Sequence, residues 1–220
     1  MTAASPLYLR QMEIGPMENF VYLVGDAQTR EVLVVDPAWQ ADTILRVARE
    51  QDLKIVGALI SHYHFDHTNG IEELLGSADV PVYVNKHDVP YLDLSHDNIR
   101  PVDAGQVVKA GRIEVRCVHT PGHTPGSQCF HTQDHLVSGD TLFIGACGRT
   151  DLPGGDAKQL YDSLRTLSKF DDRTVLCPGH NYSEKPTTTL GDEKRTNPYL
   201  LCDSLDHFLR FRTGVSEYRQ

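Results

Sequence analysis

The chain has 220 residues, of which 40% are hydrophobic and 23% are charged, a composition typical of one ordinary globular domain and not of a disordered chain. Its net charge of −9 argues against a nucleic-acid partner, because binding to phosphates needs a basic surface. No apolar run approaches the roughly 18 residues that span a bilayer, and residues 1–16 lack the pattern of a signal peptide, so we expect a cytoplasmic protein that does not associate with membranes.

The first half of the chain alternates strand-like and helix-like patterns. Ile55 to Ile60 is a continuous apolar run, which is typical of a strand buried on both faces. Apolar residues at helical spacing predict a helix over Ala41 to Glu50, and Gly25-Asp26 predicts a turn between the first two strands. The predicted strands are 19–24, 32–35, 55–60 and 80–84, and the predicted helices are 41–50 and about 70–75.

The second half begins rich in β-strand patterns and ends with helical ones. Ile113 to Val118 alternates apolar and polar residues, as a half-buried strand does. The predicted strands are 113–118, 127–131, 135–138 and 174–177, and the predicted helices are 157–167 and about 201–211. Two β-rich halves that each carry helices predict an α+β protein in which two sheets pack together with helices outside.

Polar side chains crowd the segment that follows the buried strand 55–60. Three histidines and one aspartate lie within six positions, namely His62, His64, Asp66 and His67. So many polar groups after a buried strand are costly unless they bind something. Alternate residues of an extended segment point to one side, so this segment can offer two ligands to each of two metal ions. Imidazole and carboxylate groups suit zinc, iron or manganese.

Three further candidate ligands follow directly after predicted strands. His123 lies in a P-G-H-T-P-G segment after the strand 113–118, Asp140 follows the strand 135–138, and His180 follows the strand 174–177. Functional side chains often gather in loops at the ends of rigid strands. A single Gly-Asp pair is usually only a turn, but together with the first cluster these residues predict a metal centre.

The order H-x-H-x-D-H, P-G-H-T-P-G, G-D and G-H is similar to the metallo-β-lactamase superfamily, and the similarity covers nearly the whole chain. Within it, segments 139–143, 146–149, 179–182 and 189–198 look most like the glyoxalase II branch, the hydroxyacylglutathione hydrolases. The resemblance implies a four-layer αββα sandwich in one domain, residues 1–220, with a short C-terminal helical extension from about residue 192.

The resemblance also implies a ligand set for two divalent metal ions, with zinc expected and iron or manganese as alternatives. His62, His64 and His123 would hold the first ion. Asp66, His67 and His180 would hold the second, and Asp140 would bridge the two. Class B β-lactamases typically have cysteine where Asp140 stands, and flavodiiron proteins have glutamate where His64 stands, so neither of these branches is indicated.

The glyoxalase II resemblance implies thioester hydrolysis, with a small acylglutathione-type thioester as the partner molecule. Asp66 would act as the catalytic residue by orienting the nucleophile as well as by ligating metal. Positions that match or neighbour glutathione contacts in that branch are Arg149, Tyr182, Lys194 and Arg195. An alternative within the superfamily is a persulfide dioxygenase with one iron on the positions of His62, His123 and Asp140. The sequence leaves the acyl group, the thiol and the oligomeric state open.

Overall fold

The apolar runs of the first half form a six-stranded sheet in the computed structural model, which describes residues 6–94 and 96–213. Its strands, in spatial order, are β1 (Leu7–Ile14), β2 (Asn19–Asp26), β3 (Glu31–Val35), β4 (Lys54–Ile60), β5 (Val82–Asn85) and β6 (Ile99–Val102). β1 to β3 pair antiparallel, and β3 to β6 pair parallel. The parallel strands bring the C-terminal ends of β3 and β4 to the same edge of the sheet.

The second half forms another six-stranded sheet in the spatial order β14-β13-β10-β9-β8-β7. Its strands are β7 (Val107–Ala110), β8 (Ile113–His119), β9 (Gln128–Thr132), β10 (His135–Gly139), β13 (Val175–Pro178) and β14 (Thr188–Thr189), while β11 (Leu142–Phe143) and β12 (Ala146–Cys147) form a separate hairpin. Only β10 and β13 pair parallel within this sheet. Their C-terminal ends therefore also share one edge.

Helices cover the outer face of each sheet. The first half contains α1 (Ala41–Glu50), α2 (Phe65–Thr68) and α3 (Ile71–Ser77), and the second half contains α4 (Ala157–Leu167), α5 (Leu190–Thr196) and α6 (Leu205–Thr213). Asp156 caps α4 by accepting a hydrogen bond from the Gln159 backbone N–H. Within the described residues, no helix is long and apolar enough to span a bilayer.

Three apolar layers hold these elements together. Between the sheets, Tyr22 and Leu33 of the first sheet pack in one cluster with Phe130 of the second. The outer face of the first sheet packs against α1 and α3, and the outer face of the second packs against α4 and α6. The order helix, sheet, sheet, helix confirms the predicted αββα sandwich.

Several predicted boundaries are wrong. Gly25-Asp26 is not a turn but the end of β2, because both residues stay paired with β1 and the chain turns after Asp26. Strand β5 runs to Asn85, which is later than the predicted 80–84. The last helix begins at Leu205 rather than at Leu201. The edge strands β1 and β6 were not predicted, since edge strands carry a weaker apolar pattern.

Candidate metal centre

Four strand ends meet where the two sheets face each other, and each carries polar side chains. His62 and His64 follow β4, and α2 then presents Asp66 and His67. In the second sheet, His123 follows β8, Asp140 follows β10 and His180 follows β13. The two sheets are joined at this edge by a backbone hydrogen bond from Phe20 to Gly179 O (2.8 Å). The structure therefore brings all seven predicted ligands to one end of the sandwich.

The seven side chains form overlapping groups that suit metal ions. One donor atom from each member lies within 4.8 Å of the others in three groups, namely His62, His64 and His123; His62, His67 and Asp140; and Asp66, His67 and His180. The first and third groups have the same members as the two ligand sets that the resemblance implies. The second group joins them through His62 and His67.

Asp140 lies between the two ligand groups. Its Oδ2 is 3.5 Å from His123 Nε2 and 3.4 Å from His180 Nε2, while its Oδ1 is 3.4 Å from His67 Nε2. On the other side of this cluster, Asp66 Oδ2 is 3.4 Å from Nε2 of both His67 and His180. Both carboxylates therefore point into a cluster of imidazole nitrogens, with Asp140 at the position expected of a bridge.

The hydrogen bonding of the centre fits cations. Four buried atoms in it have no hydrogen-bond partner, namely Nε2 of His62, His64 and His123, and Oδ1 of Asp140. A buried polar atom without a partner costs about 1–3 kcal/mol, and so many in one place require an explanation. Imidazole and carboxylate donors that converge without partners match the ligand preference of zinc, iron and manganese.

Each of four imidazoles is oriented by a hydrogen bond on its outward nitrogen. His67 Nδ1 donates to Asp36 Oδ2 (3.0 Å), His123 Nδ1 to Arg149 O (2.7 Å), and His180 Nδ1 to Met17 O (2.8 Å). His62 Nδ1 donates to Ser61 Oγ (3.0 Å). Because Nδ1 is the donor in each of these hydrogen bonds, Nε2 of the neutral ring directs its lone pair to the centre, as metal ligation requires.

Asp36 anchors both ligand groups, although the sequence analysis did not identify it. It follows β3, is buried, and adopts a left-handed φ of 52°. Its Oδ2 accepts from His67 Nδ1 and from Ser61 Oγ (2.6 Å), and its Oδ1 accepts from the Ser61 N–H (2.6 Å). The sequence did contain a signal for Asp36. It is an aspartate directly after an apolar strand, and several predicted ligands also follow strand ends.

Asp88 is a second buried carboxylate that the sequence analysis did not identify. It accepts hydrogen bonds from Tyr63 N (3.0 Å), Thr124 Oγ1 (2.7 Å) and Gly126 N (2.6 Å). Burial raises its pKa, and these hydrogen bonds oppose the rise. Tyr63 lies between His62 and His64, and Thr124 follows His123, so Asp88 ties together the two loops that carry the first ligand group.

Close backbone approach explains two glycines at the centre. A Cβ on Gly179 would lie 2.4 Å from Asp140 Oδ1, and a Cβ on Gly148 would lie 1.9 Å from Asp140 O. Both distances are shorter than any real van der Waals contact. Glycine at these positions therefore leaves room for Asp140.

Burial and neighbouring charges act in opposite directions on the pKa values of the centre. Burial lowers the pKa of His62 well below its usual value and lowers that of His64 to about 4. Burial also disfavours the cationic form of His67, but Asp140 and Asp36 outweigh it and raise its pKa to about 9. A metal ion on His67 Nε2 therefore has to displace a proton, so that metal affinity falls at low pH.

The four predicted substrate contacts differ in position. The Tyr182 ring stacks on His180 at 4.8 Å and is 56% exposed. Arg149 is linked to the centre through its carbonyl, and its exposed guanidinium pairs with Asp151 (2.7 Å). Both residues border the centre.

The structure does not bring Lys194 and Arg195 to the centre. Lys194 Nζ donates to Phe170 O (2.5 Å) and pairs with Asp172 (2.6 Å). Arg195 pairs with Asp192 on the same helix (2.7 Å). These partners lie in the segment before β13 and on α5, so the geometry gives no support to a substrate contact, and for these two residues the role stays a prediction.

Comparisons with known proteins agree with this geometry. A family model described as "Metallo-beta-lactamase superfamily" matches residues 14–180. The probable polyketide biosynthesis zinc-dependent hydrolase PksB of Bacillus subtilis (strain 168) is 29% identical over 200 residues, 90% of this chain and 89% of that protein. A hydroxyacylglutathione hydrolase of Rhodospirillum rubrum is 32% identical over 226 residues, 86% of this chain and 85% of that protein.

A solved structure is similar over almost the full length. The crystal structure of ETHE1 from Myxococcus xanthus matches with a TM-score of 0.86 and 31% identity, covering 96% of this chain and 92% of that chain.

Proposed function

This chain belongs to the metallo-beta-lactamase superfamily, in its glyoxalase II-like branch, and the comparisons support a metal-dependent hydrolase; from that premise we propose that it hydrolyses a thioester of the acylglutathione type at a centre of two zinc ions. The observation that carries the proposal is the convergence of seven ligand side chains, in which Nε2 of His62, His64 and His123 and Oδ1 of Asp140 are buried without a hydrogen-bond partner. His62, His64 and His123 would hold one ion, and the other would be held by Asp66, His67 and His180, with Asp140 between them.

Two divalent ions, when bound, supply a water of lowered pKa as the nucleophile and a Lewis acid for the carbonyl oxygen. The chain's own residues provide orientation. Asn19 Nδ2 donates to Asp66 Oδ2 (3.0 Å) and to the Asp66 carbonyl (2.9 Å), which fixes the carboxylate that would orient the attacking water. Such fixed geometry lowers the barrier because the reacting groups need little reorganisation.

A thioester suits this centre because a thiolate leaves without a strong general acid. Asp66 and Asp140 face imidazole nitrogens, and Asp36 is occupied by His67 and Ser61. Among the described residues of the centre, these carboxylates are all engaged, so none is left to protonate a poor leaving group. Tyr182 and Arg149 border the centre, and we expect them to contact the thiol part of the substrate.

The test is turnover of S-lactoylglutathione together with metal analysis. We expect the wild type to hydrolyse the thioester and His123→Ala to lose at least about a hundredfold in kcat/KM, because the metal ligand is removed. His207→Ala is the matched control, since the exposed His207 side chain has, among the described residues, an ion pair with Asp203 alone. Full activity and full metal content in His123→Ala, or no thioesterase activity in the metal-loaded wild type, would contradict the proposal.

Oxygen consumption with glutathione persulfide, measured beside the thioesterase assay, distinguishes the persulfide dioxygenase alternative. That activity needs one iron on His62, His123 and Asp140, and it consumes oxygen with glutathione persulfide as substrate. The presence of the group formed by Asp66, His67 and His180 favours the dinuclear hydrolase. Oxygen consumption that persists in His180→Ala would favour the dioxygenase instead.

A further inference from the structure

A cavity of about 420 Å³ lies beside the metal centre and has no role in the proposed mechanism. Two of its lining residues, Tyr63 and Phe65, flank the candidate ligand His64 in the sequence. The Tyr63 ring lies 4.8 Å from the His64 ring, so the cavity and the centre share a wall. A group joined to a reacting carbonyl at the centre is therefore within reach of the cavity.

Three of the nine residues that line this cavity are aromatic. Tyr91 stacks on Tyr63 with ring centroids 5.0 Å apart and an interplanar angle of 21°. Tyr63 is held in place because its hydroxyl donates to Pro153 O (2.7 Å). The Phe65 ring is 71% exposed and Tyr91 is 47% exposed. Aromatic surface of this kind, clustered next to a reaction centre, is typical of a ligand site.

The charged groups of the cavity are both acidic. Glu72 and Asp93 line it, and neither carboxylate forms a hydrogen bond or ion pair with a residue in the ranges 6–94 and 96–213. No lysine, arginine or histidine is among its described lining residues. The chain as a whole carries a net charge of −9. The cavity therefore repels anions and attracts cations.

We propose that this cavity binds the acyl part of the substrate and that this acyl part carries an ammonium group on an apolar stem. The faces of Tyr63, Phe65 and Tyr91 attract a cation electrostatically, and Leu92 and Leu94 supply apolar contact for the stem. The volume falls in the range of small-molecule sites, about 300–1,000 Å³, and exceeds the needs of a lactoyl group. The assignment to the acyl part rests on the proposed thioesterase function.

The acidic side chains of the cavity also determine which end of the substrate it accepts. A glutathione-type thiol carries carboxylates, which Glu72 and Asp93 would repel. The cavity is built from residues of the first half of the chain, whereas Arg149 and Tyr182 belong to loops of the second half. The acyl group and the thiol therefore occupy opposite halves of the sandwich edge.

Binding can be tested without turnover. The probe is (6-hydroxyhexyl)trimethylammonium, and 7,7-dimethyloctan-1-ol is its uncharged isostere. Trp39 is the only tryptophan of the chain and contacts Phe65 with ring centroids 6.0 Å apart, so its fluorescence reports binding. We expect the cation to bind roughly tenfold more tightly than the isostere, which corresponds to a single good cation–π contact.

A pair of double variants distinguishes the effect of the two cavity carboxylates from the effect of the net charge of the chain. Glu72→Gln with Asp93→Asn is expected to weaken binding of the cation by roughly tenfold. Glu114→Gln with Asp162→Asn makes the same change in net charge at exposed carboxylates that pair with Lys109 and Lys158, and it should keep wild-type affinity. Equal affinity for cation and isostere, or equal losses in both double variants, would overturn the proposal.

A turnover arm tests the assignment to the acyl part. Three thioesters of one thiol are compared, with 6-(trimethylammonio)hexanoyl, 7,7-dimethyloctanoyl and 6-carboxyhexanoyl as the acyl groups. We expect kcat/KM to fall in that order. Hydrolysis of all three at equal rates would overturn the acyl assignment while leaving the thioesterase function intact. Binding of the cation without hydrolysis of any thioester would instead contradict the thioesterase function and, with it, the acyl assignment.

Discussion

At the scale of single residues, the metal centre depends on side chains that are not themselves candidate ligands. Asp36 holds His67 directly and His62 through Ser61. One buried carboxylate thus sets the orientation of one imidazole in each ligand group. Groups in this position fix the protonated nitrogen of the ring and raise the basicity of the other one.

Replacement of Asp36 by asparagine tests this arrangement. Asparagine keeps the volume and tolerates the left-handed backbone of this position, but it lacks the negative charge. Its NH2 group only donates, so it cannot replace both acceptor oxygens that His67 and Ser61 use. We expect metal affinity to fall about 10–100-fold, measured by competition with a chelator. Asp97→Asn, at an exposed position, is the control. Unchanged affinity in Asp36→Asn would contradict the orienting role.

Asp88 is expected to act on the first ligand group alone. Asp88→Ala removes the acceptor for Tyr63, Thr124 and Gly126, and so loosens the loops that carry His62, His64 and His123. We expect weaker binding of one of the two ions, with the second ion retained, in a metal titration of the purified variant. If the affinity for both ions fell equally while the thermal stability stayed unchanged, Asp88 would not act on the first ligand group alone, and the prediction would be contradicted.

The candidate ligands were predictable from the sequence, and their supports were not. His62, His64, Asp66 and His67 fall in one short motif, and strand ends mark His123, Asp140 and His180. Asp36 and Asp88 contact residues 25 to 38 positions away, and no periodicity in the sequence reports such contacts. For Lys194 and Arg195 the sequence motif suggested a substrate contact. It did not indicate that their side chains form ion pairs with Asp172 and Asp192.

At the scale of secondary structure, the strands and helices of the core were predictable and the edges were not. β4 is a continuous apolar run and α1 has a clear helical period, so both were predicted to within two residues. β6 contains Pro101, which a sequence pattern treats as a strand breaker, but an edge strand tolerates it. Asp26 was taken for a turn residue because its charge is normally exposed, whereas here it is buried and paired with Arg112.

The Asp26 carboxylate links the end of β2 to the turn between β7 and β8. It accepts from Arg112 Nε (2.8 Å), Nη2 (3.0 Å) and N (3.0 Å). The side-chain hydrogen bond from Arg112 lowers its pKa well below the usual range, despite burial. This contact joins a strand of the first sheet to a turn of the second sheet, independently of the metal centre.

Because the pKa of Asp26 is lower in the folded state, its stabilising effect is present above the unfolded pKa, about 3.9, and is lost as the pH falls towards the folded value. Asp26→Asn should therefore unfold at lower urea concentration than the wild type at pH 7, and the difference should shrink below about pH 4. Asp171→Asn, in an exposed pair with Arg173, is the control and should change little. A difference that does not depend on pH would contradict the ionic account.

At the scale of the whole molecule, the centre exists only when both sheets are assembled. The first sheet contributes His62, His64, Asp66 and His67, and the second contributes His123, Asp140 and His180. The unfolded chain separates these groups, so bound ions stabilise the folded state alone. Removal of metal should therefore lower Tm, and re-addition of zinc should restore it in a concentration-dependent way. A Tm that chelation leaves unchanged would show that the ions do not bridge the two sheets.

The most direct test of the central claim is the metal content of the purified chain, measured by elemental analysis after equilibration with zinc. The account predicts two ions per chain in the wild type, about one in His180→Ala, where the group of Asp66, His67 and His180 is broken, and two in the control His207→Ala. A wild type with no tightly held ion, or His180→Ala with an unchanged content, would contradict it.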